Sequence, residues 1–368
     1  MQDLKNLTVF IIWFLLAGVS NFCFAAATPV VYETARSLGM GGVAVGIADD
    51  HQALFCNPAG LGLRSDSAYS VVNGYFERNT DFEKVNDHIS ALESDDKTRG
   101  ANYNHLRAIM GMHGWQAYSN MAYYLGGTGF GVAAYYRESE FFAVNNPVNP
   151  SVRAKIEKDS FISGSMARSF NENQILFKDR AVGWWGATMK FVSRKASDNT
   201  WYSRDFAALN DSILKKTDRS GATMDFDFGA LWQISNPWRP TIGLFLGNVL
   251  ASEFSSDIGK LDRQFAIGVS LRPLTGPEER NEKLLLAADY WENSDSRNAF
   301  TKLRLGAEVK LSRHFSVQAG IRGGYLTAGA GITWNDWNFQ ASTYGEELGP
   351  RPGNNEDRRY ALSTTWEF

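Results

Sequence analysis

The chain has 368 residues, with 37 Lys and Arg against 40 Asp and Glu, a net charge of −3 and an aromatic content of 13%. That balance excludes a nucleic-acid binder held by phosphate attraction. A slightly negative mean hydropathy excludes a bundle of apolar spanning helices, but it permits a membrane barrel, in which about half of each strand faces water.

In chain order, the first feature is an apolar run from Leu7 to Val19. It follows Lys5 and precedes Phe24-Ala25-Ala26-Ala27. A short apolar core before small residues predicts a secretory signal over residues 1–27, cleaved between Ala25 and Thr28. The run is shorter than the roughly 20 residues a spanning helix needs. Removal of the signal takes Cys23 with it and leaves Cys56 alone, so no intramolecular disulfide is expected.

Residues 28–66 do not read as a strand. Small residues dominate, and glycines at 39, 41, 42 and 46 allow tight turns and close backbone approach. Asp49 or Asp50 is placed to cap a short helical turn toward Phe55, and Asn57-Pro58 suits the turn that ends it. A compact segment of this kind fits inside a barrel as a hatch, with Leu38, Met40, Val43, Val45, Leu54 and Phe55 as its apolar contacts.

From residue 67 to 368 the pattern has period two. In the segment 302–311 charges occupy the even positions (Lys302, Arg304, Glu308, Lys310) and apolar side chains most of the odd ones. Similar alternation predicts strands at 68–76, 115–124, 129–143, 159–171, 181–194, 224–233, 239–250, 263–272, 283–292, 315–322, 325–334, 337–344 and 359–368. That makes about fourteen, the even number expected of single-chain bacterial barrels. Every second connection (125–128, 172–180, 235–238, 274–282, 312–314, 335–336) is expected on the periplasmic side, and most of these are short. The others (77–114, 144–158, 195–220, 251–262, 346–358) are long and polar, except 293–300 and 323–324. Segments 87–94 and 207–216 read as short loop helices that either cover the rim or fold over the mouth.

The faces divide accordingly. The predicted lumen face carries Asp225, Asp227, Asp289, Lys302, Arg304, Glu308, Lys310 and Arg322, which could pin the hatch or line a polar route. The predicted lipid face carries Trp185, Trp232, Trp334, Trp337, Trp366 and Phe368 near strand ends, as an interfacial girdle would. The last strand alternates Tyr360, Leu362, Thr364, Trp366 and Phe368 against Arg359, Ala361, Ser363, Thr365 and Glu367. Tyr360, Leu362, Trp366 and Phe368 are the expected signal to the barrel-assembly machinery. The fold expected is an all-β transmembrane antiparallel barrel of about fourteen strands with an N-terminal hatch in its lumen.

The segment RSLGMGGVAVGIADDHQALFCNPAGL adds a resemblance. Leu38, Gly39, Met40, Gly41 and Gly42, then Ala48, Asp49 and Asp50, then Asn57, Pro58, Ala59, Gly60 and Leu61 resemble the hatch signature of the FadL-like outer-membrane superfamily, closest to its PorV-type branch. Where that pattern usually has an aromatic before Asn-Pro, this chain has Phe55 and then Cys56. The resemblance implies a fourteen-stranded barrel plugged by its amino terminus, in the outer membrane of a Gram-negative bacterium. It also implies passive transport of hydrophobic small molecules, or alternatively a partnership with a protein secretion or surface-attachment system.

Catalytic chemistry finds little support. The five histidines (His51, His88, His105, His113, His314) show no metal-ligand spacing, and one cysteine cannot build a zinc site. Asp49-Asp50-His51 reads better as caps and hatch-to-wall hydrogen bonds than as a cation site. No predicted strand carries a central histidine for hydrolysis, and Gly39-x-Gly41-Gly42 lacks the strand and helix of a dinucleotide motif. The expected protein is non-enzymatic, with no cofactor, no metal and no nucleic-acid partner. Its expected surroundings are outer-membrane lipid, a hydrophobic ligand or a secretion-system protein.

Overall fold

The computed structural model describes residues 32–93, 99–145, 151–170, 181–202, 219–255, 258–273, 283–292, 299–348, 353 and 355–368, with the side chains of 92, 93 and 99–103 outside that description. The signal segment and the predicted helix at 207–216 therefore lie outside the described residues.

The described chain forms one closed antiparallel barrel. Its strands are β1 (Ala68–Asn79), β2 (His113–Gly126), β3 (Phe130–Asn145), β4 (Ser151–Ser169), β5 (Ala181–Tyr202), β6 (Arg219–Ile234) and β7 (Thr241–Gly247). They continue as β8 (Gln264–Leu271), β9 (Leu284–Glu292), β10 (Leu303–Lys310), β11 (Phe315–Arg322), β12 (Tyr325–Trp334), β13 (Trp337–Glu347) and β14 (Glu356–Glu367). Neighbours in sequence are neighbours in the sheet, and β14 pairs with β1. Phe368 and Tyr69 exchange both backbone hydrogen bonds at 3.0 Å, which completes the seam. Closure leaves no unpaired strand edge to face hydrocarbon.

All fourteen predicted strands are present. Their heights differ from expectation. β3, β4 and β5 run on through segments read as polar loops, to 16, 19 and 22 residues, while β7 is cut to 7. One side of the barrel is therefore a tall wall and the other a low one. The extension escaped notice because polar side chains there look like loop once the strand is beyond the apolar band.

The outward face is apolar. Tyr360, Leu362 and Phe368 are exposed, whereas Ala361, Thr365 and Arg359 are buried inside. Tyr69, Tyr124, Phe130, Trp185, Trp238, Trp334 and Phe368 stand exposed along the rim of short turns. There Trp337 stacks on Trp366 at 5.6 Å, and Tyr69 on Phe368 at 5.1 Å. Of the tryptophans predicted for the lipid face, Trp185 and Trp334 are exposed, Trp337 and Trp366 are half-buried, and Trp232 is buried against Phe170. A second belt of Phe76, Tyr118, Tyr136 and Tyr360 lies six to eight residues further along the same strands. That spacing is roughly 20–27 Å of strand, or about 16–21 Å of height at a tilt of about 40°, so the belts bound the greater part of an apolar band about 25 Å tall.

Two helices, α1 and α2, belong to the hatch and are described below. Two more, α3 (Phe82–Glu93) and α4 (Arg99–Ala108), occupy the connection from β1 to β2. Phe82, Val85 and Ile89 of α3, with Leu106 and Ile109, pack on Phe142, Val144, Val152, Ala154 and Trp201. Phe142 pairs with Gly114, and unbroken register puts both on the face that carries Tyr118, Val132 and Tyr136 outward. The helices therefore cover the outside of the tall wall and do not fold over the mouth. They also bring His88 and His105, 17 positions apart, to 3.0 Å between their Nδ1 atoms, a pairing that sequence spacing did not reveal.

The face assignment is testable in reconstituted protein. Leu362→Arg should cost about 1–3 kcal/mol in reversible unfolding from lipid vesicles, because it puts a guanidinium into hydrocarbon between the interface and the midplane. Ser363→Arg, one residue on, faces a wet cavity and should cost far less. Equal losses would contradict the assignment.

Candidate functional site

Residues 32–63, the segment expected to form a hatch, pack against the inner face of the barrel wall, and Ser65 and Asp66 stand exposed beside Gly127 of the β2–β3 turn. Thr34 opens α1 (Ala35–Gly39) with a capping box shared with Ser37. Gly41 and Gly42 follow with φ of 73° and 83°, the left-handed conformation that glycine adopts without strain. Asp50 accepts the Gln52 backbone N–H at 2.8 Å just before α2 (Ala53–Cys56). Asn57 ends that helix and accepts from Ala59 at 3.2 Å, which starts the 3-10 turn Pro58–Leu63.

The hatch rests on bare backbone. At inward positions of β5, β6, β7, β8, β10 and β11, the wall presents glycine where the hatch backbone comes close. A Cβ built on Gly186 would fall within 3.0 Å of Pro58, and one on Gly229 within 3.0 Å of Asn57. The same holds for Gly243 against Val45, Gly268 against Gly46, Gly306 against Met40 and Gly320 against Gly41. Gly39 meets Gly329 of β12 from the hatch side, with Cβ-to-Cα separations near 3.0 Å. This belt follows the hatch round the lumen. Its members stood in the sequence as glycines inside strand patterns, a sign of close backbone approach or of a bulge. The hatch glycines were recognised and their wall partners were not.

Wall side chains then satisfy the hatch backbone. Asp289 accepts from the N–H groups of Ala44 (2.6 Å) and Val45 (2.9 Å). The Thr327 hydroxyl donates to the Gly39 carbonyl at 2.8 Å and accepts from the Gly41 N–H at 3.0 Å. Ser270 donates to the Gly46 carbonyl at 2.8 Å, and the Asn57 amide donates to the carbonyls of Val45 and Ala230.

Charges complete the seat. Glu33 accepts from Arg304 at 3.0 Å and Arg322 at 2.6 Å. Burial alone would raise the Glu33 carboxyl, but Arg322 and Arg304 outweigh it and hold it at about 2. Arg36 bridges Asp49, Asp50 and Glu308 at 2.9, 3.1 and 2.7 Å. Asp49 is also approached by Arg272 at 3.3 Å, and the arginines hold its carboxyl at about 2 against burial. The apolar hatch side chains Leu38, Met40, Val43, Val45, Leu54 and Leu61 are buried, as is Cys56.

The remaining lumen-face residues divide. Asp227 pairs with Lys190 at 2.7 Å and accepts the Asn248 N–H. Asp225 accepts from the N–H groups of Leu250 and Ser252, so both aspartates brace the connection after β7. Lys310 lines a cavity. Lys302 departs from expectation: it ends a 3-10 turn before β10 and bonds Glu292, which also receives the Tyr290 hydroxyl. Tyr290 pairs with outward Ile267 and Leu303, so Lys302 sits on the outer rim.

Above the hatch, side chains from four strands meet across the lumen. Glu77 accepts from Trp115 Nε1 and the Tyr344 hydroxyl, both at 2.6 Å, and from Arg359 at 3.2 Å. Arg359 lies over the Trp115 ring at 4.4 Å. No sequence signal joined these residues, because they come from four strands whose spacing in the chain is unrelated. On the short-turn side a cavity of about 740 Å³ remains, lined by polar groups including Arg36, Asp49, Asp50, Lys310, Gln340 and Glu367.

One stretch of wall is weak. The β1–β2 ladder shifts register between Ser70 and Gly74, and residues 71–73 have no partner on β2. The shift reverses the facing of the strand, leaving Val71 exposed outside and Asn73 buried inside. There the His51 ring accepts from Asn73 at 3.1 Å, contacts the Tyr32 hydroxyl at 3.0 Å and stacks on Tyr123. Beside it Tyr32, Phe55, Tyr135 and Phe161 form a continuous aromatic cluster.

Solved structures share this architecture. The CymD monoaromatic hydrocarbon channel aligns with a TM-score of 0.52 at 10% identity, over 93% of this chain and 98% of that one. A Pseudomonas aeruginosa FadL homologue (11% identity; 93% of this chain, 99% of that one) and the Ralstonia pickettii toluene transporter TbuX (10%; 92% and 98%) align at 0.45. The likeness is one of fold. No protein-family model matches the sequence, and no curated protein does.

Two outcomes follow for the seat, both read through labelling of Cys56 in the processed protein. Gly243→Val sets a side chain against the Val45 carbonyl and should expose Cys56 to a maleimide at neutral pH. A Cys56 as protected as in the parent protein would contradict the glycine belt. The depressed carboxyls of Glu33 and Asp49 contribute stability that is complete above their ordinary range of about 4 and lost as pH falls toward 2. Cys56 should stay unreactive toward 4,4′-dithiodipyridine at pH 5 to 7 and become reactive between about pH 4 and 2. Protection that first fails well above pH 5 would contradict it.

Proposed function

We propose that this chain is an outer-membrane barrel, exported by its first 27 residues, that passes hydrophobic small molecules through a hatch-closed lumen. The observation that carries the reading is the stretch 71–73 of β1, unpaired with β2, beside the aromatic cluster of Tyr32, Phe55, Tyr135 and Phe161. An apolar solute can replace ring-to-ring contacts at small cost, because it restores the same dispersion and burial. The break in the ladder beside these rings offers an exit into lipid that breaks few hydrogen bonds. The CymD channel, which shares the fold, is described as a channel for monoaromatic hydrocarbons, and this supports the substrate class. No catalytic step is assigned. Insertion by the barrel-assembly machinery through β14 belongs to the same reading.

A second reading is favoured by one feature. Above the hatch Glu77 gathers Tyr344 and Arg359 across the lumen, and the cavity below carries charged groups such as Arg36, Asp49 and Lys310 among its lining. That suits a PorV-like partner in protein secretion or surface attachment, with the tall wall and its helices as the docking face.

Proteoliposomes separate the two. The transport reading expects faster entry of radiolabelled toluene or a long-chain fatty acid than in protein-free liposomes, and slower entry after Phe55→Arg, which puts a charge in the aromatic cluster. Equal rates for liposomes with and without the protein would remove it. Specific partners recovered in mild detergent would then favour the secretion reading.

A further inference from the structure

We propose that His88 and His105 bind one divalent transition cation of the zinc type and so clamp α3 to α4 on the outside of the tall wall. The inference is independent of what, if anything, passes the lumen.

Helical spacing sets the two imidazoles at one seam. On α3, Val85 and Ile89 face the wall and are buried, and His88 stands one position before Ile89, on the flank. On α4, Leu106 is buried against the same cluster, and His105 stands one position before it. The rings meet with centroids 5.3 Å apart, planes inclined at 59° and Nδ1 atoms 3.0 Å apart.

Without a cation, that contact has one satisfactory state. One ring must carry its proton on Nδ1 and donate, and the other must carry it on Nε2 and accept. A cation uses both lone pairs at once and leaves Nε2–H on each ring. Zinc-to-nitrogen bonds of about 2.0–2.1 Å at a tetrahedral angle place two ligand nitrogens about 3.3 Å apart. The seam therefore needs to open by only about 0.3 Å to admit the ion. Two imidazoles favour zinc, nickel or copper over magnesium or calcium, which prefer oxygen. Among the described residues no third His, Cys, Asp or Glu joins the pair.

The clamp joins two short helices, of 12 and 10 residues, and isolated helices of that length are marginal in water. A cation bridging them stabilises the folded loop by mass action.

The test uses the whole protein in detergent after EDTA treatment. Calorimetric titration with ZnCl₂ should show one saturable site per chain, and MgCl₂ none. His88→Ala and His105→Ala should each weaken binding by about tenfold or more. His314→Ala, at an exposed turn on the opposite rim, should leave it unchanged. Zinc should also slow proteolysis of the α3–α4 connection in the parent protein and not in either variant. Heat-dependent migration in dodecyl sulfate checks that each variant has kept its barrel. No saturable binding below about 1 mM, or binding equal in the parent and a folded His88→Ala or His105→Ala variant, would overturn the proposal.

Discussion

Two polypeptide backbones can lie against each other only where side chains are out of the way, and the interior of this barrel is arranged around that constraint. The hatch lies against glycines on strand after strand of the wall. Side chains elsewhere are then free to satisfy what the contact leaves over. Asp289, Thr327 and Ser270 serve hatch backbone groups, while Arg304, Arg322 and Glu308 hold hatch charges. A wall of bulky side chains at the belt positions would keep the hatch several ångströms away and leave those groups without partners.

The two solvents of a membrane barrel explain the rest. Outside, hydrocarbon admits no unpaired backbone and no charge, so the sheet closes and its outer face is apolar between two aromatic belts. Inside, water and the hatch admit charge provided that it is paired. Arg36 illustrates the balance: it is flanked by three carboxylates, and removing it would leave them facing one another across a partly dry interior. The β1 bulge is where the two demands conflict. A residue inserted in the ladder turns Asn73 inward to His51 and Tyr32 and leaves residues 71–73 unpaired with β2.

Much of this is legible in the amino-acid sequence. Alternation at 302–311 and 359–368 identified strands and faces, because lipid on one side and water on the other sort residues at every second position. Hatch residues stood out through their small size and turn chemistry, and Glu308, Arg304 and Arg322 through their inward parity. What stayed hidden depends on tertiary contact. A glycine in a strand shows that something comes close without naming it, so Gly186, Gly243 and Gly306 carried no partner. The ends of β4 and β5 project past the apolar band, where alternation loses its meaning. Lys302 kept the lumen parity of β10, but a 3-10 turn rotated it away. His88 and His105 meet only because two helices pack, and their spacing in the chain says nothing of that.

Planar-bilayer recording tests the central claim most directly. A hatch seated on backbone and pinned by Arg304, Arg322 and Glu308 leaves no continuous water path, so the intact protein should insert without a steady ionic current. Stable open-channel steps from the intact protein would contradict the account.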